Sequence, residues 1–360
     1  MNINDVIVYI MLSLMCIAVL DHAFSNKLGL GSKYVQAFSA MGTLAMYMLG
    51  TLCFAPVLAK ALKPCVSPFF NAIGADPCVI AGLLIGSDSG DYPIAVSMAK
   101  SAQAADFSGL IIGSMFGICL TFLVPYLLGV ADEAERPLIA KGILAGISTI
   151  PLGCFAGGLT AGFDLIFIFK NLIPVILFSG FVAAGLIFFQ SAAIKIFLAA
   201  GKVMRAFLAI TLMIAAFEGV SGISVIKGLL PISQAFAIVG NIIVILVGAF
   251  VFVHILTKVL NAPIKKLSAF LKVNETSCSG FLCALANTIA MAALIKDMDK
   301  RGKILNAAFA VSAGFAFGDH LAFTAGVNKD MILAVVTGKL AGGITALTLA
   351  CAILRKEKSS

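Results

Sequence analysis

Residues 82–96 read GLLIGSDSGDYPIAV, and this stretch decides how the whole chain is interpreted. It lies inside an apolar run from residue 73 to residue 99, with Asp88 and Asp91 at its centre. A charge at the centre of a bilayer costs about 2.5–3.5 kcal/mol on insertion scales, so it rarely occurs without a partner or a pathway. The surrounding glycines and serines interrupt a helix, and interrupted backbone at membrane depth occurs only inside protein or along a cavity. The stretch therefore predicts a substrate or ion site in a membrane protein.

The composition places the chain among membrane proteins. Hydrophobic residues make up 61% of its 360 residues and charged residues 12%, whereas about a quarter of a soluble domain is charged. The mean hydropathy is +1.09. The net charge of +8 is explained by basic loops on the cytoplasmic side of a membrane. Because no soluble domain is present to carry a basic face, we exclude nucleic-acid binding.

Signatures of enzymes and metal sites are absent from the sequence. It contains no HExxH, nucleophile-elbow or Walker A motif. The three histidines are widely separated, and the nine cysteines lie mostly in apolar segments without a CxxC pair. Isolated cysteines in apolar segments usually serve as small residues of the core. We therefore predict that the protein is not an enzyme and holds neither a cofactor nor a metal ion.

The chain contains an internal repeat. Residues 34–62 align with residues 232–260 without a gap and share nine identical positions, among them Gly42 with Gly240 and Gly50 with Gly248. The alignment predicts a first repeat over residues 5–161, a connecting span and amphipathic linker over 162–202, and a second repeat over 203–354.

The repeat gives the acidic stretch a counterpart in the second half. Segment 73–98 aligns with segment 275–296, whose centre, Asn287 and Thr288, is polar but neutral. Paired interrupted segments in the two halves of a chain are the best sequence indication of a transporter's binding site. We therefore predict that Asn287 and Thr288 contact the same substrate as the acids.

Basic residues favour one topology. The apolar segments lie at 6–22, 41–61, 73–98, 107–129, 138–161, 166–189, 204–226, 233–257, 275–296, 304–326 and 331–354. If all eleven cross the membrane, basic residues divide evenly between the two sides. If 73–98 and 275–296 are re-entrant hairpins, most basic residues fall on the side of the C-terminus, as the positive-inside rule requires. We predict an all-α polytopic membrane protein of two inverted repeats, with nine spans, two hairpins and a cytoplasmic C-terminus. Eleven full spans are the alternative.

The polar residues of the first interruption have structural alternatives. Asp88 or Asp91 also suits the N-cap of the helix that follows, although two acids exceed what capping requires. Tyr92 offers a ring face to an ammonium group; the alternative is that its ring packs against neighbouring side chains.

A second polar centre lies in the segment before the last. Asp319 and His320 stand in an apolar run. Three interpretations are open: Asp319 orients His320, both contact the substrate, or both lie at the membrane interface. Asn287 has a structural alternative as a hydrogen-bonding link between helices. Lys339 is a further charge within a span, for which we weigh pairing against snorkelling to an interface.

Several motifs resemble the ethanolamine-utilisation permease family, EutH. They are INDVIVYIM at 3–11, GILAGISTIPLGCFAGGL at 142–159 and LNAAFAVSAGFAFGDHLAF at 305–323, and the resemblance covers nearly the whole chain. It implies transport of ethanolamine across the bacterial inner membrane. The family pattern at the first interruption is Cys-Asp-x-Gly-Gly, which carries a site role to Asp88. Ser87 stands here for the cysteine and Asp91 for a glycine, so the resemblance does not extend to Asp91.

Three transport functions follow. The first is an ethanolamine permease that works by alternating access and binds the ammonium group at the midplane carboxylates. The second is a channel-like facilitator of ethanolamine. The third is a cation-coupled transporter of another small amine. The expected partners are the small-molecule substrate and membrane lipids; whether identical chains associate stays open.

Overall fold

The structure is a computed structural model that describes residues 2–84, 91–259 and 261–359. Every regular element in these ranges is helical, since an apolar chain in a bilayer must satisfy its backbone hydrogen bonds within each segment. In chain order the helices are α1 (Ile3–Ala23), α2 (Gly31–Ala72), α3 (Val79–Leu84), α4 (Asp91–Met98), α5 (Ala102–Val130), α6 (Arg136–Thr160), α7 (Leu165–Phe188), α8 (Gln190–Ser221), α9 (Ile232–Val259), α10 (Asn261–Leu271), α11 (Glu275–Ala286), α12 (Thr288–Ala293), α13 (Lys300–Ala313), α14 (Asp319–Val327) and α15 (Ile332–Ser359).

Eight helices in the described part of the chain are long and apolar enough to cross a membrane: α1, α2, α5, α6, α7, α8, α9 and α15. The prediction of an all-helical, multi-pass membrane protein is therefore confirmed. Helix α5 contains wider π-helical turns over Asp106–Gly117 and Cys119–Leu123. Turns of this kind occur frequently at functional sites.

The first interrupted stretch, residues 79–98, is called here the first split segment, and its described parts are α3 and α4. Its two ends lie side by side. The backbone N–H of Lys100 donates to Asp76 Oδ2 at 3.1 Å, and Lys100 Nζ donates to Asn71 Oδ1 at 2.6 Å. The chain therefore returns after α4 to the place where it began α3.

The second split segment, residues 275–293, consists of α11 and α12. Its ends are joined in the same way, because Asn274 Nδ2 donates to the carbonyl oxygen of Asp297 at 2.8 Å. Ser277 Oγ donates to Asp299 Oδ1 at 2.9 Å. Helix α11 ends at the extended residue Asn287, where the sequence placed the polar centre.

The segment predicted as one span over 304–326 is divided, and that prediction of an uninterrupted span is wrong. Helix α13 ends before Gly314, and Phe315 adopts a left-handed φ of 60°. The N–H groups of Phe315 and Phe317 donate to the carbonyl oxygens of Ala284 and Leu285, both at 2.8 Å. These carbonyls belong to the last turn of α11, so each interruption supplies hydrogen-bond partners to the other.

Helices α6 and α15 pack against each other through glycines. A Cβ added at Gly153 would stand 2.8 Å from the carbonyl oxygen of Gly338 and 3.0 Å from the Cα of Gly342. At Gly142 it would stand 2.2 Å from the carbonyl oxygen of Ile304 in α13. Small residues let membrane helices approach this closely. Of the polar groups described next, Lys339 lies in the resulting core of α5, α6, α13 and α15.

The elements follow one order in both halves of the chain. A long helix precedes a split segment, then a helix or helix pair, then a final helix, in α2–α6 and again in α9–α15. After the split segment the halves differ, because α5 is continuous whereas α13 and α14 are separate. The linker predicted over 162–202 comprises α7 and the first part of α8, so its end falls inside one helix. The inverted relation of the repeats stays a prediction.

Candidate functional site

A buried carboxylate stands at the start of α4. Asp91 is only 1% exposed, and its side chain lies against the backbone of Gly113 in α5. A Cβ added at Gly113 would stand 1.4 Å from Asp91 Oδ2. The carboxylate therefore occupies space that any other residue at position 113 would fill. The helix N-terminus favours its negative charge. Asp88, the other acid of the interruption, lies outside the described residues.

Two glycines let α4 approach α5. Gly109 faces Tyr92, whose Cα would stand 2.6 Å from an added Cβ, and Gly113 faces Asp91. They follow the small-x-x-x-small spacing of close helix contacts in membranes. This spacing is visible in the sequence as GLIIG at residues 109–113. It is the signal that would have placed α5 beside the acids.

Tyr92 is held by hydrogen bonds at its hydroxyl. Its Oη donates to Asp106 Oδ1 at 2.9 Å, and Asn328 Nδ2 donates to the same oxygen at 3.0 Å. The ring of Tyr92 meets Phe323 edge to face, with centroids 6.3 Å apart. The structure thus fixes the ring between α5 and α14. The predicted contact of its face with an ammonium group stays a prediction, and Asp106 and Asn328 were missed by the sequence reasoning.

Asn287 caps helix α12. Its Oδ1 accepts hydrogen bonds from the N–H groups of Ile289 at 2.8 Å and Ala290 at 3.4 Å. An amide oxygen has two lone pairs, and both are used here. A substrate can therefore accept a hydrogen bond from Asn287 but has no acceptor there to donate to.

Thr288 follows Asn287 and is fully buried. Its Oγ1 makes no hydrogen bond to any residue in the described ranges. Its methyl carbon would stand 2.6 Å from a Cβ added at Gly314, so it lies at the interruption between α13 and α14. An unmade hydrogen bond at a buried group costs about 1–3 kcal/mol, which marks the Thr288 hydroxyl as a candidate ligand contact.

His320 is the second buried polar group at this interruption. It is 1% exposed, and neither ring nitrogen has a hydrogen-bond partner among the described residues. Its ring centroid lies 5.5 Å from that of Phe315. Asp319, half-buried at the start of α14, does not hydrogen-bond to this ring, so of the three alternatives the one in which it orients His320 does not hold in this structure. Neighbouring residues on a helix do not face each other. Contact of both residues with the substrate stays a prediction.

Lys339 is a buried cation that the sequence prediction left outside the site. It is fully buried in α15, and its ammonium donates a hydrogen bond to the carbonyl oxygen of Ser114, the residue after Gly113. It therefore does not snorkel to an interface, which was one of the two alternatives. The lysine is visible in the sequence as TGKLAGG, but its partner is a backbone oxygen with no signature in the side chains.

Comparison with known proteins gives the family. Residues 3–353 match the family described as "Ethanolamine utilisation protein, EutH". The chain belongs to the EutH family. This confirms the resemblance found in the sequence motifs, and the match extends over almost the full length of the chain.

Three relatives show how closely the family members agree. The chain is 43% identical over 363 residues to the "Probable ethanolamine permease EutH" of Listeria monocytogenes, covering 100% of this chain and 97% of that protein. It is 40% identical to the "Uncharacterized protein YxeR" of Bacillus subtilis, covering 97% and 95% of the two chains. It is 36% identical to the "Probable ethanolamine permease EutH" of Salmonella typhimurium, covering 100% and 98%. No solved structure matches the chain.

Proposed function

We propose that this chain carries ethanolamine across the bacterial inner membrane by alternating access. The observation that carries the proposal is the buried Asp91 carboxylate at the interruption of the first split segment, in a family member whose relatives are named ethanolamine permeases. Ethanolamine at neutral pH is a small primary ammonium ion with a hydroxyl two carbons away. A buried carboxylate compensates the desolvation of such a cation, and pairing the two charges strengthens their hydrogen bond.

Asp91 binds the ammonium group in this proposal, with Asp88 as a second carboxylate from the same interruption. The hydroxyl of the substrate is bound at the other interruption, by Thr288 Oγ1 and the amide nitrogen of Asn287. A chain of contacts supports one shared site. Tyr92, next to Asp91, touches Phe323 of α14, and one turn earlier in α14 stands His320. Thr288, at the start of α12, lies against Gly314, where the interruption between α13 and α14 begins.

The proposed topology has nine crossings and two re-entrant hairpins, which are the split segments. Its support comes from the joined ends of each segment and from α5. The joined ends of a split segment are called its root. Lys100 lies at the root of the first split segment and precedes α5, and the far end of α5 leads to Glu135. Glu135 pairs with Lys303, directly after the root of the second split segment. The two roots therefore lie at opposite ends of a 29-residue helix, about 40 Å apart.

Opposite roots agree with two inverted repeats, over 5–161 and 203–354, whose hairpins enter from the two sides of the membrane. The ninth crossing is the pair α13 and α14, divided between Gly314 and Gly318. The cytoplasmic position of the C-terminus rests on the basic residues at its end of the bundle. Alternating access then requires each hairpin to open its own side in turn.

Uptake of radiolabelled ethanolamine into proteoliposomes tests the function, with pH and sodium gradients imposed separately. A carrier gives saturable uptake and accelerated exchange when the vesicles are preloaded with ethanolamine. Flux that rises linearly with concentration and shows no exchange contradicts alternating access and favours the channel-like facilitator. Stronger competition by another amine than by ethanolamine itself contradicts the assigned substrate.

A further inference from the structure

A cationic cavity of about 410 Å³ opens at the end of the bundle that carries the root of the second split segment. It lies between α6, the turn after α10, the start of α13 and the end of α15. The described residues of its lining are Leu138, Lys141, Lys272, Asp299, Lys300, Arg301, Ile304 and Leu354. Four of these eight side chains are cationic, and none belongs to the substrate site proposed above.

Among the described lining residues the one carboxylate is Asp299, and its Oδ1 is already hydrogen-bonded. Asp299 Oδ1 accepts hydrogen bonds from the Ser277 hydroxyl at 2.9 Å and from the N–H of Gly302 at 3.1 Å, as the N-cap of α13. It therefore stabilises the root of the split segment. Arg301 is fixed by its Nε, which donates to the carbonyl oxygen of Leu271 at 2.6 Å. Lys272, Lys300 and Arg301 outnumber this carboxylate among the described lining residues, and the guanidinium of Arg301 is held in place.

Lys272 occupies a backbone position that normally holds glycine. It follows the last residue of α10 with a left-handed φ of 54°. The N–H of Val273 donates to the carbonyl oxygen of Ser268 at 3.1 Å, which is the long hydrogen bond of a Schellman helix end. Glycine is the usual residue at that position because a Cβ is strained there. A lysine here costs backbone energy and adds a cation to the cavity lining.

We propose that this cavity binds the phosphodiester headgroup of an anionic phospholipid. Basic pockets between membrane helices at the cytoplasmic side bind such headgroups. The apolar side chains Leu138, Ile304 and Leu354 complete the lining and suit the glycerol and acyl parts of a lipid better than a free ion. The lipid links the root of the second split segment, through Lys272 and Lys300, to Lys141 of α6.

Melting of the purified protein in detergent tests the proposal, with phosphatidylglycerol, phosphatidylcholine or inorganic phosphate added. We expect phosphatidylglycerol to raise the melting temperature and phosphatidylcholine to leave it unchanged. Lys272→Gly and Lys300→Ala should each require about fivefold more phosphatidylglycerol for the same rise. Lys272→Gly should also melt no lower than wild type without lipid, because glycine relieves the left-handed backbone. Lys296→Ala, an exposed cation at the same end of the bundle, is the matched control.

Each other outcome overturns the proposal. Equal stabilisation by phosphatidylcholine means that the headgroup charge is not recognised. Stabilisation by inorganic phosphate at the same concentration means that the cavity takes a free anion rather than a lipid. An unchanged response of Lys300→Ala excludes this cavity as the lipid site even if Lys272→Gly does not fold.

Discussion

Gly113→Ala tests the buried carboxylate without touching its charge. The added Cβ would stand 1.4 Å from Asp91 Oδ2 and 2.5 Å from its Cγ. Ordinary contact begins near 3.4 Å, so the carboxylate must withdraw by about 2 Å, more than a hydrogen bond tolerates. Losing a desolvated charge partner costs about 2–5 kcal/mol of binding. We therefore expect Gly113→Ala to weaken ethanolamine binding by roughly 30- to 5,000-fold.

Gly129→Ala is the matched control. It lies in the same helix, α5, and an added Cβ there meets nothing within 4 Å. Alanine is the better helix former by about 1 kcal/mol, so neither variant should fold poorly through helix propensity alone. Binding is measured by ethanolamine titration of purified protein and transport by uptake into proteoliposomes. Wild-type affinity in Gly113→Ala would refute the role of Asp91.

A double variant separates the carboxylate from any wider distortion. If Gly113→Ala acts only by displacing Asp91, adding Asp91→Asn should cause no further loss, because both changes remove one interaction. Losses that add instead indicate that the alanine disturbs the packing of α4 on α5.

Three further outcomes are expected. Asp88→Asn should remove most ethanolamine uptake while expression stays normal. Wild-type uptake in this variant would contradict the site role that the family pattern assigns to Asp88. In a cysteine-free background, single cysteines at positions 63 and 100 should both be labelled from outside the cell. A single cysteine at position 296 should be labelled only from inside. Labelling of positions 63 and 100 from opposite sides would favour the model of eleven spans. Lys339→Met should raise the melting temperature, because it removes a desolvated charge that has one backbone partner, and should slow uptake; a lower melting temperature would show that the lysine stabilises the fold.

Much of the fold could be predicted because single-segment hydropathy is a local property. The segments predicted at 6–22, 138–161 and 166–189 agree with α1, α6 and α7 within three residues at each end. The family assignment from motifs was confirmed over residues 3–353. In contrast, the segment predicted at 41–61 lies in the 42-residue α2, which continues through Pro56, Pro64 and Pro68. Proline predicts an end or a kink, but the helix continues past all three.

The interruption at Gly314–Gly318 could not be predicted from hydropathy because its cause is not local. The run GFAFG is apolar enough to continue a helix, and what holds it open is the pair of carbonyl oxygens at the end of α11. Asn287 shows a second limit of the sequence. Its polar position agrees with the end of α11, but the hydrogen bonds by which its amide oxygen caps α12 depend on backbone geometry that the sequence does not give. Its contact with the substrate stays a prediction.

In the proposed site, we expect the two halves of the chain to contribute unequally to the recognition of the substrate. In the first half, the Asp91 carboxylate rests against α5, which is continuous and carries the adjoining contact of Lys339 with Ser114. In the second half, two interruptions meet, and they leave Thr288 and His320 buried without hydrogen bonds in the described part of the chain. Unmade hydrogen bonds are costly in the closed state and can be recovered by a ligand or by rearrangement. The charge of the substrate is therefore expected to bind at the first half, where Asp91 lies against α5. The hydroxyl of the substrate is expected to bind at the second half, where Thr288 and His320 gain the hydrogen bonds that they lack among the described residues. A ligand that binds one conformation more tightly in this way shifts the equilibrium between the conformations of the transporter.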